Sequence, residues 1–201
     1  MSGYEKPDFW AQKAKKEGYP ARSVYKLKEI NEKFHLLKRG ARILDIGAAP
    51  GSWSLWILQQ LGGSGFLASV DLQPLKIDSP TPNFHFRQGD LYDPAVRAEI
   101  LGFGPYDLVV SDAAPATTGN RLVDQGASES IVEAVIDYGL EALKPGGCLV
   151  AKIFQGGDEK ALLTRLKLSF ETARGFKPEA CRSQSFETYL IASGFRGQSR
   201  V

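Results

Sequence analysis

Five charged residues stand at or near the ends of apolar runs along this chain. Asp45 lies at the end of Ile43-Leu44-Asp45, Asp71 follows Phe66-Leu67-Ala68-Ser69-Val70, and Asp90 follows the 83–88 segment. Asp112 follows Tyr106-Asp107-Leu108-Val109-Val110, and Lys152 follows Cys148-Leu149-Val150-Ala151. In an open parallel sheet, ligands bind outside the carboxyl ends of the strands, where the strand order switches. Any one of these charges is compatible with a solvated loop residue, but five in corresponding places predict a shared site on one rim. The turn after the first run, Asp45-Ile46-Gly47-Ala48-Ala49-Pro50-Gly51-Ser52-Trp53, is built of small residues that let a ligand approach the backbone. Gly47 and Gly51 are four apart, unlike the dinucleotide fingerprint G-x-G-x-x-G. No P-loop lysine follows, which argues against nucleoside triphosphates. Asp71 at the next strand end suits ribose hydroxyls. Together with Gly89-Asp90, these features predict an adenosine-containing cofactor.

The elements that must position these residues alternate between strand and helix. Arg22 to Phe34 reads as an amphipathic helix with Val24, Leu27, Ile30 and Phe34 on one side. Ser52 to Leu61 reads as a second helix, closed by Gly62-Gly63. Strands are expected at Ile43–Ile46, Phe66–Val70, Asn83–Phe86, Tyr106–Val110 and Cys148–Ala151. Between the last two, Val132, Val135, Ile136, Gly139, Leu140 and Leu143 follow helical spacing, and Lys144-Pro145-Gly146-Gly147 stops the helix. A helix over about Asp158–Phe170 precedes two terminal strands, around Phe176–Ala180 and Thr188–Ala192. Such alternation implies crossover connections, a mainly parallel sheet and helices on both faces. With no repeat, linker or low-complexity tract, residues 1–201 are expected to form a single domain.

Composition narrows the function classes. Of 201 residues, 43% are hydrophobic and 24% charged, an ordinary globular balance that excludes disorder as the default. No apolar run is long enough to span a bilayer, and the start lacks the apolar region of a secretory signal, so a cytoplasmic chain without a membrane partner is expected. Two cysteines, Cys148 and Cys181, and two histidines, His35 and His85, make neither a disulfide scaffold nor a metal cluster. No metal is expected, and His85, Cys148 and Cys181 receive no role. The charge is uneven: residues 1–42 carry eleven Lys/Arg against five acids, and the remainder carries fourteen against eighteen. A basic segment interleaved with Phe9, Trp10, Tyr19 and Tyr25 suits a polyanion, although a solvated helix face has the same pattern.

Several of these stretches resemble the FtsJ/RrmJ-like methyltransferases, which methylate ribose 2′-oxygens in RNA with S-adenosylmethionine. The resemblance rests on Asp45-Ile-Gly-Ala-Ala-Pro-Gly-Ser-Trp53, Ser111-Asp-Ala-Ala-Pro115 and Lys152-Ile-Phe-Gln-Gly156. It is extended by Glu17-Gly-Tyr-Pro-Ala-Arg-Ser-Val-Tyr-Lys-Leu27 and Ser185-Phe-Glu-Thr-Tyr189, and runs from about Phe9 to Gly194. It implies a Rossmann-like methyltransferase fold, with about seven strands of which the last is antiparallel. It also implies a catalytic tetrad of Lys26, Asp112, Lys152 and Glu187, separated by 86, 40 and 35 residues, which only a folded sheet could gather. The cofactor positions carried over are Gly51, Trp53, Asp71, Asp90 and Asp112. Gly47 belongs to the same turn, and Asp45 is read as a structural residue or a partner of the cofactor's amino-acid end.

Two departures stand out. The family's Ser-Asp-Met-Ala-Pro-Asn run reads Ser111-Asp-Ala-Ala-Pro-Ala116 here, and Pro20 stands where an arginine is common. The reaction implied is methyl transfer to a ribose of RNA, with a uridine of 23S rRNA in the large ribosomal subunit as the substrate and a monomer as the acting form. Relatives acting on tRNA or mRNA caps are alternatives. A nonenzymatic ribosome-assembly module on the same fold is opposed by the intact tetrad. A nicotinamide-dependent oxidoreductase is opposed by the glycine spacing. The segment of about residues 1–40 would supply a helical RNA surface.

The residue types suit that chemistry. A ribose hydroxyl is a poor nucleophile until its proton is removed or polarised, and in-line transfer rewards positioning. Lys152 is the candidate base or steering group. An ordinary lysine, with a pKa of ~10.4, is protonated at pH 7, but burial, a neighbouring Lys26 and a sulfonium would each lower that value. Asp112 and Glu187 oppose the shift and are expected to hold the lysines in place, and Asp112 is also placed toward the methionine end of the cofactor.

Overall fold

The computed structural model describes residues 8–78, 81–182 and 185–197. Glu5 and Lys6, counted in the basic segment, lie outside the described residues. Among the described residues, seven strands form one sheet: β1 (Arg42–Ile46), β2 (Phe66–Asp71), β3 (Phe84–Gln88), β4 (Tyr106–Ser111), β5 (Leu143–Phe154), β6 (Phe170–Phe176) and β7 (Glu187–Phe195). Their spatial order is β3-β2-β1-β4-β5-β7-β6. Neighbours from β3 to β5 are parallel, and β7 enters antiparallel between β5 and β6. The direction of strand progression reverses between β1 and β4, and that switch point marks where a ligand crevice opens.

Among the described residues, six helices accompany the sheet: α1 (Phe9–Lys16), α2 (Val24–Phe34), α3 (Ser52–Leu61), α4 (Pro94–Gly102), α5 (Arg121–Ala142) and α6 (Glu159–Ser169). Strand alternation divides the core between the two faces. Ile43, Leu67, Val110 and Ile191 pack with Leu27, Ile30 and Ile57 of α2 and α3. Leu44, Val109 and Leu149 pack with Ile100, Ile136 and Leu166 of α4, α5 and α6. Burying one such aliphatic side chain is worth about 1.5–3 kcal/mol, so each face is held by many small, non-directional contributions.

The main departures from the sequence expectation lie near the C-terminal end. The strand expected around Phe176–Ala180 is instead β6, which ends at Phe176. Pro178 has no N–H for a ladder, and the N–H groups of Glu179 and Ala180 donate to the Glu29 carboxylate at 2.6 and 2.9 Å. The segment is therefore turned onto α2 rather than paired in the sheet. The Lys144–Gly147 stretch ends α5 but lies within β5, where pairing jumps from Tyr106↔Leu143 to Leu108↔Cys148. Helices α1 and α4 add to the elements read from periodicity. Both are short, and each opens on an aspartate cap, Asp8 and Asp93.

Candidate active site

The turn after β1 organises the site. Gly47 has φ 75°, and a Cβ there would lie 2.5 Å from the Cα and Cβ of Ala113, so only glycine lets the β1 and β4 loops meet. Gly51 caps α3 at φ 111°, and a Cβ on it would press against Ile77 at 3.0 Å. The first residues of α3 then reach across to α2. Ser52 Oγ accepts the Ala21 N–H at 2.7 Å, and the Trp53 Nε1–H donates to the Ser23 carbonyl at 2.8 Å. Trp53 is buried and its ring lies against Tyr189. The indole thus fixes the start of α2, and with it Lys26, rather than facing the β1–β2–β4 crevice.

That crevice is a cleft of about 320 Å³ at the ends of β1, β2 and β4, in the range of ~300–1,000 Å³ usual for small-ligand sites. Gly47, Asp71 and Asp90 line it, with apolar walls from Val70, Leu91 and Ile131. Asp71 Oδ2 accepts the Ala49 N–H at 2.8 Å and Oδ1 accepts the Gln73 N–H at 2.7 Å. Each oxygen keeps acceptor capacity for a ribose hydroxyl. Carboxylates at the mouth and aliphatic walls behind are a donor set that fits a nucleoside-bearing cofactor. Leu91 and Tyr92, which complete the lining after β3, carry no role in the sequence reading, because apolar residues in a loop give no periodic signal.

Asp45 does not reach this cleft. Strand β1 continues one residue beyond it, and its side chain is fully buried. Oδ2 accepts the Ser54 Oγ–H at 2.7 Å, while Oδ1 has no hydrogen-bond partner among the described residues. Burial, with Asp112 and Asp71 acting in the same direction, pushes this carboxyl up to about 7 against the Ser54 hydrogen bond.

On the other side of Asp112 the four tetrad residues converge. Lys26 Nζ is 2.6 Å from Glu187 Oε1, and Lys152 Nζ is 3.1 Å from Asp112 Oδ1. Lys152 also donates to the Asp112 main-chain oxygen. The two lysines are 9% and 8% exposed, so these are largely desolvated pairs. Strand pairing explains the convergence: Lys152 faces Tyr189 and Phe154 faces Glu187, which places Lys152, Glu187 and Tyr189 on one face beneath α2. Tyr189, fully buried, donates its hydroxyl to Asp112 Oδ1 at 2.7 Å. Its role is missed by the sequence reading, although its position two residues after Glu187 puts both on the same side of a strand.

The electrostatics are mutually supporting. Burial would lower the pKa of Lys26, but the Asp112 and Glu187 carboxylates outweigh it and hold the group above the ordinary lysine value. Burial likewise works against ionised Asp112, yet the Lys152 and Lys26 ammoniums and the Tyr189 hydroxyl hold its carboxyl below the usual range. Beside them, burial and the Glu187 carboxylate push the Cys181 thiol up to about 12, which makes it an inert neighbour. A second, wider groove of about 800 Å³ opens beyond Lys26 and Glu187, with Trp10, Arg22 and Arg182 in its walls. Along the sheet, Asp112 and Lys152 therefore stand between the Asp71 cleft and this basic groove. Among the described residues, no group of three or more His, Cys, Asp or Glu is placed to hold a metal ion.

Comparison with known proteins identifies the family. The FtsJ-like methyltransferase family profile matches residues 19–195. A Treponema denticola protein named ribosomal RNA large subunit methyltransferase E is 51% identical over 194 residues, covering 96% of this chain and 98% of the relative. Proteins of the same name are 44% identical over 197 residues in Treponema pallidum (98% of each chain) and 45% over 192 residues in Borrelia garinii (96% and 98%). A solved Plasmodium falciparum structure, described as that of a ribosomal RNA methyltransferase, superposes with a TM-score of 0.77 at 29% identity, covering 90% of this chain and 100% of that one. Human methyltransferase-like protein 13, solved with SAH, shares the fold at a TM-score of 0.56 and 16% identity, over 89% and 82% of the two chains.

Proposed function

Because the chain belongs to the FtsJ-like methyltransferase family, we propose that it transfers a methyl group to a ribose 2′-hydroxyl of RNA, on a uridine of the 23S rRNA of the large ribosomal subunit. The observation that carries this reading is the alternation of Lys26–Glu187 and Lys152–Asp112 ion pairs between the Asp71 cleft and the basic groove. S-adenosylmethionine, the donor used by this family, supplies a methyl already activated on a sulfonium.

The chain's own residues supply position and proton control. Asp71 and Asp90 would hold the nucleoside part of the donor in the cleft, with Gly47 keeping the floor open and Asp112 toward the reacting centre. An ammonium has three N–H donors, and Lys152 directs two toward Asp112, leaving one for a 2′-oxygen. As an ammonium it steers the hydroxyl, and as an amine it takes the hydroxyl proton at the same Nζ. Lys26 and Glu187 stand on the groove side, where the rest of the nucleotide enters, and the basic N-terminal helices offer the RNA surface. Asp45 and Trp53 act from beneath, the first under the β1 turn and the second by fixing α2. We assign the chain to the cytoplasm as a monomer, and no described helix is long and apolar enough to cross a membrane.

The test is label transfer. The protein is incubated with methyl-labelled S-adenosylmethionine and, separately, naked rRNA, large subunits and tRNA, and alkali-resistant ribose positions are mapped. Label on one ribose of large-subunit rRNA is the expected result. Label on a base atom, on tRNA alone, or on no RNA overturns the assignment.

A further inference from the structure

At the far wall of the basic groove, one carboxylate holds two arginines. Asp8 Oδ1 accepts the Trp10 and Ala11 N–H groups at 3.1 and 3.4 Å, capping α1. Its other oxygen, Oδ2, pairs with Arg22 Nη1 and lies 3.5 Å from Arg182 Nε. Arg22 is also tied to the Ala180 carbonyl, so its guanidinium is held in place, whereas the Arg182 side chain is 72% exposed. Both arginines line the groove that contains Lys26 and Glu187. One oxygen bound by two guanidiniums is the contact that a non-bridging phosphate oxygen makes with an arginine pair.

We propose that Arg22 and Arg182 form a subsite for a backbone phosphodiester of the RNA substrate, and that Asp8 fills it as an internal stand-in which the RNA displaces. The inference rests on the reading of the chain as an RNA methyltransferase. The Arg22 guanidinium holds the Asp8 carboxyl below its ordinary range, so the competitor stays charged at neutral pH. It remains displaceable because its contact with the exposed Arg182 is weak, and a phosphate on a polyanion brings counterion release that a lone carboxylate lacks.

Asp8→Asn separates the two roles of the residue, since asparagine caps a helix as well as aspartate but leaves the arginines unpaired. Binding of in vitro transcribed large-subunit rRNA, measured by filter retention over a salt series, is the readout. Asp8→Asn should bind about three- to tenfold more tightly at low salt, with an unchanged log–log salt slope, because the same phosphate is contacted in both proteins once Asp8 is displaced. Glu32→Gln removes an equal charge from an exposed position on α2 and controls for net charge. Arg182→Gln in the Asp8→Asn background should abolish most of the gain. Tightening by Asp8→Asn no greater than by Glu32→Gln, or a gain that survives Arg182→Gln, overturns the subsite. A wild-type protein that methylates rRNA while Asp8→Asn leaves binding unmoved defeats this inference alone. A wild-type protein that methylates no RNA defeats the parent reading.

Discussion

Replacing Tyr189 by phenylalanine removes one oxygen from the centre of the site and leaves the packing in place. The ring is fully buried against Trp53, and phenylalanine retains that contact, so the change isolates the 2.7 Å hydrogen bond to Asp112. A hydrogen bond to a charged group contributes about 1.5–3 kcal/mol. Asp112 Oδ1 keeps Lys152 Nζ at 3.1 Å, which places the expected loss at the lower end, about 1.5 kcal/mol, or roughly one pKa unit. The direction follows from the present balance: the hydroxyl helps to hold Asp112 low, so its removal raises the Asp112 pKa. The acid limb of kcat/KM should therefore move up by about one pH unit, with little change in kcat at neutral pH, where Asp112 stays ionised. Stability supplies an independent check. A carboxyl lowered on folding stabilises the native state above its unfolded pKa of ~3.9, and that contribution disappears as pH falls through the folded value. The variant's deficit in denaturant unfolding should consequently be largest at neutral pH and shrink in acid. An unmoved acid limb and wild-type stability at neutral pH would refute the reasoning and show that the lysines alone hold Asp112.

Other substitutions test separate parts of the site. Lys152→Ala should reduce methyl transfer by about 10²–10⁴-fold in single-turnover assays while leaving donor affinity near normal, and partial activity in Lys152→Arg would identify steering over proton removal. Asp71→Ala should weaken binding of the donor's demethylated product by roughly 10–100-fold in calorimetry, because it removes a charged acceptor worth about 1.5–3 kcal/mol, while RNA binding persists. Gly47→Ala should cost about 2–4 kcal/mol in chemical denaturation, from a left-handed φ of 75° and a Cβ only 2.5 Å from Ala113.

The same short turn serves two sites at once. Gly47 opens the cofactor cleft toward Ala113, while Ser52 and Trp53, a few residues on, anchor the loop that leads into α2 and Lys26. A shift of α3 would therefore disturb donor and acceptor positions together. This coupling gives Trp53 a structural reason to be where it is.

Amino-acid order alone determined the local features. Helix α3 is legible from Ser52 to Leu61 because apolar spacing and a glycine stop act within a few residues. The parallel strands are legible as apolar runs, because strands buried on both faces carry little polar alternation. The charges near their ends follow directly, as does the turn between β1 and α3. Tertiary structure decided everything that depends on contacts between distant segments. Asp45 reads as one more rim charge, yet β1 extends past it and buries it under Ser54. Trp53 reads as part of a ligand turn, yet its N–H is taken by Ser23. The strand expected around 176–180 gives way to β6 because Glu29, some 150 residues away, captures the N–H groups of Glu179 and Ala180. Tyr189 meets Asp112 only because β7 turns antiparallel and lies beside β5. Periodicity reports which face a residue takes within its own element, whereas partner identity depends on strand order and register, set when all the elements bury their apolar faces together.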